Sequence, residues 1–318
     1  VVFAAISGSS PVTLLAVGSI LYPALLKEGY SKKFSLGALA SGGTLGVVIP
    51  PSIPMILYAI ATDKSISDLF LAGIIPGLML AGVLSVYALI ANRKIQSEPF
   101  NFVQTVQAFR YGIFALMTPV ILLGGIYSGF FSATEAAAIA VGYSLFVEVF
   151  IHREIHITEF FSIAVDTARL LGTLFPIIAI AISINLLLTA ESVPQDFATW
   201  MTTVVDNKIT FLIALNIFLL VIGCLIDIGS AILMLAPILL PVAMAYGIDP
   251  IHFGIIMVVN LEIGFITPPV GLNLIVAMTA FKEDFVLICR SVLPFICLML
   301  AVLVLVVFIP ELSLFLIR

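Results

Sequence analysis

Ser41-Gly-Gly-Thr-Leu-Gly-Val-Val-Ile-Pro-Pro-Ser52 decides how this chain is read, because its shape returns as Val259-Asn-Leu-Glu-Ile-Gly-Phe-Ile-Thr-Pro-Pro-Val270, 218 positions later. Outward from that pair the register holds without a gap over residues 1–76 and 219–294. Pro23 matches Pro241, Gly29 matches Gly247, Lys64 matches Lys282, and Pro76 matches Pro294. Most matches are Gly and Pro, the residues that set backbone shape, so the shared property is an interrupted path. Two corresponding Gly/Pro-broken apolar segments in the halves of a membrane chain point to a transporter's binding site.

Composition places the path in a bilayer. The 318 residues are 62% hydrophobic and 10% charged, with a mean hydropathy of +1.27; a soluble domain carries about a quarter charged residues. Apolar runs recur at 34–60, 69–92, 111–127, 134–151, 169–190, 209–225, 230–246, 251–280 and 285–310. Several exceed the ~20 residues that cross the hydrocarbon as helix. No β-barrel alternation is seen, so the expectation is an all-α membrane protein. The chain opens with Val inside a hairpin-like motif and reads as a portion of a longer protein lacking N-terminal helices. Cys224, Cys289 and Cys297 lie in apolar runs without disulfide or zinc spacing.

Charge placement gives topology. Lys27, Lys32, Lys33, Arg93, Lys94, Arg110, Arg153, Arg169, Lys282 and Arg290 fall in alternate loops, against Lys64, Lys208 and Arg318 in the others. The positive-inside rule makes the first group cytoplasmic. That works only if 1–26 and 209–246 turn back without crossing, as two re-entrant hairpins with tips Ser7-Gly8-Ser9-Ser10 and Asp227-Ile228-Gly229-Ser230. Five crossings then separate the halves, so the repeats are inverted. The stretches 97–110 and 154–168 show apolar residues at helical spacing and read as interfacial helices; the other reading is that they extend the neighbouring spans.

The chemistry concentrates at the breaks. Proline has no N–H and clashes with the carbonyl four residues back, so Pro50 and Pro51 should free the carbonyls of Gly46 and Val47, and Pro268 and Pro269 those of Gly264 and Phe265. Unsatisfied carbonyls at bilayer depth are expensive, and a hard cation such as Na⁺ satisfies them. One expected site combines Ser7 and Ser9 with carbonyls near Gly46, Ile49 and Pro51. The other combines Asp227, Ser230, Gly264, Thr267 and Pro269. Ser10, Ser52 and Asn273 are the expected substrate contacts between the two tips. Three readings of Asp227 stand together: a Na⁺ ligand, a proton carrier, or the cap of the second hairpin arm. Glu262 is either functional or structurally paired, and Glu135 reads as a helix-start cap.

No enzyme motif is present: no P-loop, no His-Glu-x-x-His, no second buried aspartate beside Asp227, no nucleophile elbow. No basic-aromatic patch suggests nucleic acid. A channel would need a continuous polar lining, whereas these polar groups form two compact clusters. No cofactor is expected beyond Na⁺ as coupling ion.

Ala4-Ala-Ile-Ser-Gly-Ser-Ser10, Gly42-Gly-Thr-Leu-Gly46 with Ile49-Pro-Pro-Ser52, Leu71-Ala-Gly-Ile-Ile-Pro-Gly77, Thr134-Glu-Ala-Ala-Ala138, and the run from Ile248 through Gly264 with Ile266-Thr-Pro-Pro-Val-Gly271 together resemble the large membrane subunit of TRAP transporters. The resemblance covers essentially the whole chain; Ser132-Ala133 stands where that family often has a Pro. It implies a bacterial inner-membrane secondary transporter for organic acids, sialic acid first and C4-dicarboxylates next. It implies Na⁺ coupling, a small four-helix membrane (Q) partner, separate or fused, and a soluble periplasmic binding protein. The fold it implies is an inverted-repeat transporter of elevator type with two re-entrant hairpins and two broken transmembrane helices. The expected division is 1–68 and 209–284 as halves of a transport domain, 69–208 as scaffold spans with interfacial arm helices, and 285–318 as a C-terminal span. A proton-coupled or binding-protein-independent organic anion carrier is the alternative.

Overall fold

The structure is a computed structural model that describes residues 8–95 and 101–318. Every regular element among them is helical. Four helices form the first repeat: α1 (Ser10–Lys27), α2 (Lys32–Val48), α3 (Ile53–Thr62) and α4 (Ile66–Ala91). Then come α5 (Phe102–Tyr127), α6 (Ala133–Phe146) running into a π-helical turn (Val147–His152), α7 (Ile157–Ala190), α8 (Val193–Val204) and α9 (Lys208–Leu225). The second repeat follows as α10 (Ile228–Ala245), α11 (Pro250–Phe265), α12 (Leu272–Phe281) and α13 (Phe285–Phe308), with a short α14 (Glu311–Leu314).

The 218-residue register is a structural repeat. α1 and α10 have 18 residues each, α2 and α11 have 17 and 16, α3 and α12 have 10 each, and α4 and α13 have 26 and 24. Gly29 and Gly247 close α1 and α10 with positive φ, +84° and +68°, a conformation glycine adopts without steric cost. Packing exchanges between the halves: α1 lies on α12 and α10 on α3, while α2 lies on α13 and α11 on α4. Such reciprocal contacts are what a pseudo-two-fold relation produces.

The second hairpin is explicit. α9 and α10 are joined by Ile226 and Asp227 at one end. At the other, Lys208 Nζ donates to the Gly247 carbonyl at 3.2 Å and Phe211 stacks on Tyr246 with centroids 4.2 Å apart. The two arms are therefore antiparallel. Each arm is about 27 Å long at 1.5 Å per residue, and each is long and apolar enough to cross a membrane. Of the expected first hairpin, 1–26, the structure describes Gly8 onward, with α1 as its helix; residues 1–7, Ser7 among them, lie outside the described residues.

The chain divides into two compact units, Val1–Gln96 with Asn185–Arg318, and Ser97–Ile184. Both repeats belong to the first. In the second, α5 packs on α6, where Tyr143 donates to the Phe114 carbonyl at 3.0 Å. Ser132 and Glu135 form a reciprocal capping box at the start of α6, the role expected of Glu135. In α5 Ile126 is buried, side chains such as Phe114 and Leu122 are half-buried, and Phe102, Val103, Phe109 and Val120 are exposed. The stretches 102–110 and 157–168 continue into α5 and α7 without a helix break, so neither is a separate interfacial helix. The reason is that nothing in either junction, neither proline nor glycine cap, ends the helix before the span begins. α7 has 34 residues, about 51 Å, longer than a hydrocarbon core of ~30 Å.

Among the described residues, nine helices are long and apolar enough to cross a membrane.

A polar tie joins the repeats at the loop expected to be cytoplasmic. Glu283, between α12 and α13, accepts from Tyr22 of α1 at 2.7 Å and pairs with Lys32 of α2 at 2.7 Å. The Lys32 ammonium, with help from the Tyr22 hydroxyl, holds the Glu283 carboxyl below its ordinary value of 4.5. A depressed carboxylate stabilises the fold fully above its unfolded pKa, and that contribution is lost as pH falls through the lower folded value. Glu283→Gln should therefore lower stability near neutrality by at most about 1 kcal/mol. The gap to the native chain should close below about pH 4.5, as read by thermal unfolding in detergent across that range.

Candidate ion and substrate site

Each broken helix ends where proline removes its amide donors. α2 stops at Val48; Ile49 is extended (φ −84°, ψ 125°), as a residue before proline prefers. The chain restarts at Ser52, whose Oγ accepts from the Met55 amide at 3.3 Å, with Pro54 in the first turn of α3. α11 stops at Phe265, and Gly271 (φ +49°) leads into α12. The Pro50–Pro51 and Pro268–Pro269 peptides are both cis.

The two breaks are not equally open. The Thr267 amide donates to the Gly264 carbonyl at 2.8 Å, and the Thr267 hydroxyl donates to Ile263 O at 2.6 Å. The expectation that Pro268 leaves Gly264 O without a donor is thus corrected: the last turn tightens to an i+3 bond and satisfies it. A carbonyl oxygen retains a second lone pair, as does the Thr267 hydroxyl, so both can still face a cation.

Hairpin tips sit directly on the breaks. A Cβ on Gly8 (φ +59°) would lie 3.1 Å from the Pro51 carbonyl oxygen, so the first tip reaches the first break by backbone contact. At the second, the Gly271 amide donates to Cys224 O at 3.0 Å, three residues before Asp227. Gly223 and Gly264 pack backbone to backbone, since a Cβ on Gly264 would stand 2.7 Å from Gly223 Cα.

For the first ion site, Ser9 occupies the N-cap position of α1, and its carbonyl accepts from the Thr13 amide (3.1 Å) and hydroxyl (2.9 Å). Gly46 is buried, and Ser9, Ile49 and Pro51 are half-buried. For the second, Asp227 Oδ2 caps α10 by accepting from the Ser230 amide at 2.9 Å. Asp227 and Pro269 are exposed, Ser230 and Thr267 half-buried, and Gly264 buried. No hydrogen bond joins Asp227 to Thr267.

Of the expected substrate contacts, Ser10 and Asn273 are brought together across the repeats. Asn273 Nδ2 donates to Ser10 Oγ at 2.9 Å and to Ala40 O at 3.3 Å. Ser52 is buried as a cap and is not bonded to that pair. Asn216 escaped the sequence reading: Asn260 donates to its carbonyl and side-chain oxygens at 3.0 and 2.7 Å, tying α9 to α11. An amide inside an apolar run was the available signal. Among the described residues Glu262 has no charged partner; both its oxygens are buried, with the Ser10 side chain beside them, so no ion pair accounts for it.

The family model described as "Tripartite ATP-independent periplasmic transporter, DctM component" matches residues 1–312. The chain belongs to this family. It is a multi-pass inner-membrane protein. It is 44% identical over 315 residues to the C4-dicarboxylate TRAP transporter large permease protein DctM of Pseudomonas aeruginosa, covering 98% of this chain and 74% of that protein. It is 41% identical to the isethionate TRAP transporter permease protein DctMQ of Oleidesulfovibrio alaskensis, covering 98% of this chain and 50% of that one. An ectoine/5-hydroxyectoine large permease of Ruegeria pomeroyi, UehC, is 34% identical, over 99% of this chain and 74% of its own length.

In this family member the second break rests on two glycines. Gly264→Ala would press a methyl into the Gly223 backbone and to 2.9 Å from the Leu220 carbonyl, atoms that cannot rotate away. A loss of about 1–3 kcal/mol follows, seen as a lower melting temperature and less monodisperse protein. Gly42→Ala, whose Cβ would meet nothing within 4 Å, should behave like the native chain.

Proposed function

We propose that the chain is the large permease of a Na⁺-coupled system that imports an organic acid anion delivered by a periplasmic binding protein, together with a small membrane subunit. A C4-dicarboxylate is favoured over sialic acid, because the 44% identical relative is named for that substrate; the name DctMQ of another relative supports a partner that is separate or fused. The observation that carries the reading is the pair of matched helix breaks, each with a hairpin tip set against it, inside one compact unit. Ser7 and Ser9 with the Gly46, Ile49 and Pro51 carbonyls form one Na⁺ site; Asp227, Ser230, Gly264, Thr267 and Pro269 form the other. The substrate lies between them, near Ser10, Ser52 and Asn273. Among the described residues no Lys or Arg is buried, so bound Na⁺ and half-helix N-termini supply the field that holds an anion.

The hairpins are re-entrant on this reading, and they move with the broken helices as one elevator body. α4 and α13 pack reciprocally on α11 and α2; on this reading 1–68 and 209–284 form the moving body and 69–208 the scaffold.

The reading is tested by uptake in proteoliposomes with the small subunit and binding protein, in Na⁺ against choline. Ser9→Ala should raise the Na⁺ concentration for half-maximal uptake several-fold. Asp227→Asn should do the same, because Asn caps a helix about as well as Asp and only the charge is removed. Uptake driven by a pH gradient alone, with Na⁺ without effect, would instead make the system a proton-coupled carrier.

A further inference from the structure

Glu262 presents a problem that the two break sites do not solve. It sits on α11, two residues before Gly264, with 0% of its surface exposed and neither carboxylate oxygen hydrogen-bonded. Ser10 of α1 lies against the carboxylate without completing a hydrogen bond of standard geometry. Ser10 also receives Asn273 Nδ2 at 2.9 Å, while Asn273 Oδ1, on a side chain with 0% exposure, has no donor. Three helices, α1, α11 and α12, thus meet around one buried acid with the Ser10 hydroxyl as the donor beside it, and bring no Lys, Arg or His to balance its charge. The helix itself does not demand an acid here. The matched position in the first repeat is Thr44, whose hydroxyl is satisfied on its own helix by the Ser41 carbonyl at 2.6 Å.

We propose that Glu262 is the anionic ligand of a further Na⁺ site, completed by Asn273 Oδ1 and the Ser10 hydroxyl; this rests on the sodium reading above. A buried carboxylate without a counter-charge is strongly unfavourable, and one hydroxyl donor leaves that charge unbalanced where a cation would balance it. The chemistry selects its class. The ligands are oxygen only, which suits a hard ion. One carboxylate balances one positive charge. No group of three or more His, Cys, Asp or Glu suited to a polyvalent metal occurs among the described residues. A water molecule would fill the acceptors but leave the charge unbalanced, and the closed packing excludes an organic cation. Loaded, this cluster is neutral, so it secures α1 to α11 and α12 while the break sites keep their positive field for the substrate.

The test is equilibrium dialysis of radioactive Na⁺ with the full chain and its small subunit in nanodiscs, without substrate. Glu262→Gln should bind one Na⁺ fewer per chain than native. Glu262→Asp should keep the count with a half-saturation raised about tenfold, the loss of one charge-assisted contact. Equal counts and affinities in native and Glu262→Gln overturn the proposal, because the carboxyl then merely holds a proton. If Glu262→Gln does not assemble, Ser10→Ala is read in the same way: a several-fold weaker site supports the proposal and an unchanged one overturns it. Native protein that binds no Na⁺ at all would sink the sodium reading itself, a result distinct from native binding that Glu262→Gln leaves untouched.

Discussion

A proline pair inside an apolar segment removes two amide donors from the helix ladder, and in a bilayer no water replaces them. That constraint organises the first unit of this protein. The chain cannot run through Pro50–Pro51 or Pro268–Pro269 as continuous helix, so it stops and starts again, leaving α2 through an extended Ile49 and α11 through a tightened turn at Thr267. Something must then lie close enough to cover the exposed backbone. In both halves it is a hairpin tip: Gly8 against Pro51, and Gly223 and Cys224 against Gly264 and Gly271. Glycine stands at the contacts because backbone meets backbone there, and a Cβ would force the two apart.

The repeats share a backbone and differ in chemistry. Ser9 and Asp227 hold the same cap position; Ile49 matches Thr267, Thr44 matches Glu262, and Met55 matches Asn273. Two-fold packing therefore juxtaposes unlike side chains. The hydroxyls of the first hairpin tip meet the amide and acid of the second repeat, as Ser10 does with Asn273 and Glu262. A strictly symmetric pair of sites could not separate ion from substrate. Divergence at a few matched positions, on a preserved set of Gly and Pro, gives two breaks at matched positions with different side-chain chemistry.

What was legible in the sequence follows from this division. Gly and Pro report backbone shape directly, so the breaks, the repeat and the turn between α9 and α10 could be located from residues alone, and so could the helix starts at Ser52 and Glu135. Local bonding that depends on how a terminus winds was not legible. Proline counting freed the Gly264 carbonyl, yet Thr267 closes on it one residue early. Asp227 was compatible with three roles, and its Oδ2 turns back to its own helix. Burial was the least legible property. Glu262 lies on α11, but its surroundings come from α1, some 250 residues away in sequence, so only the assembled packing distinguishes an orphaned acid from a paired one. Asn216 showed as an amide inside an apolar run, but its partner Asn260, 44 residues on, shows only in the packing.

Charge balance links these features. The buried polar groups of the described chain comprise hydroxyls, amides, one histidine and one acid, with no permanent cation. On the transport reading, an organic anion entering this cluster adds negative charge to a region that already contains the Glu262 carboxyl. Moving such a cluster through low dielectric without compensation would be prohibitive. Mobile cations are then a structural requirement of the moving body as well as an energy source. A fixed Lys or Arg would serve the anion equally well but would remain, uncompensated, when the carrier returned empty. A reversibly bound Na⁺ leaves with its charge instead, and the carbonyls, hydroxyls and amides among the proposed ligands carry no net charge of their own on the return.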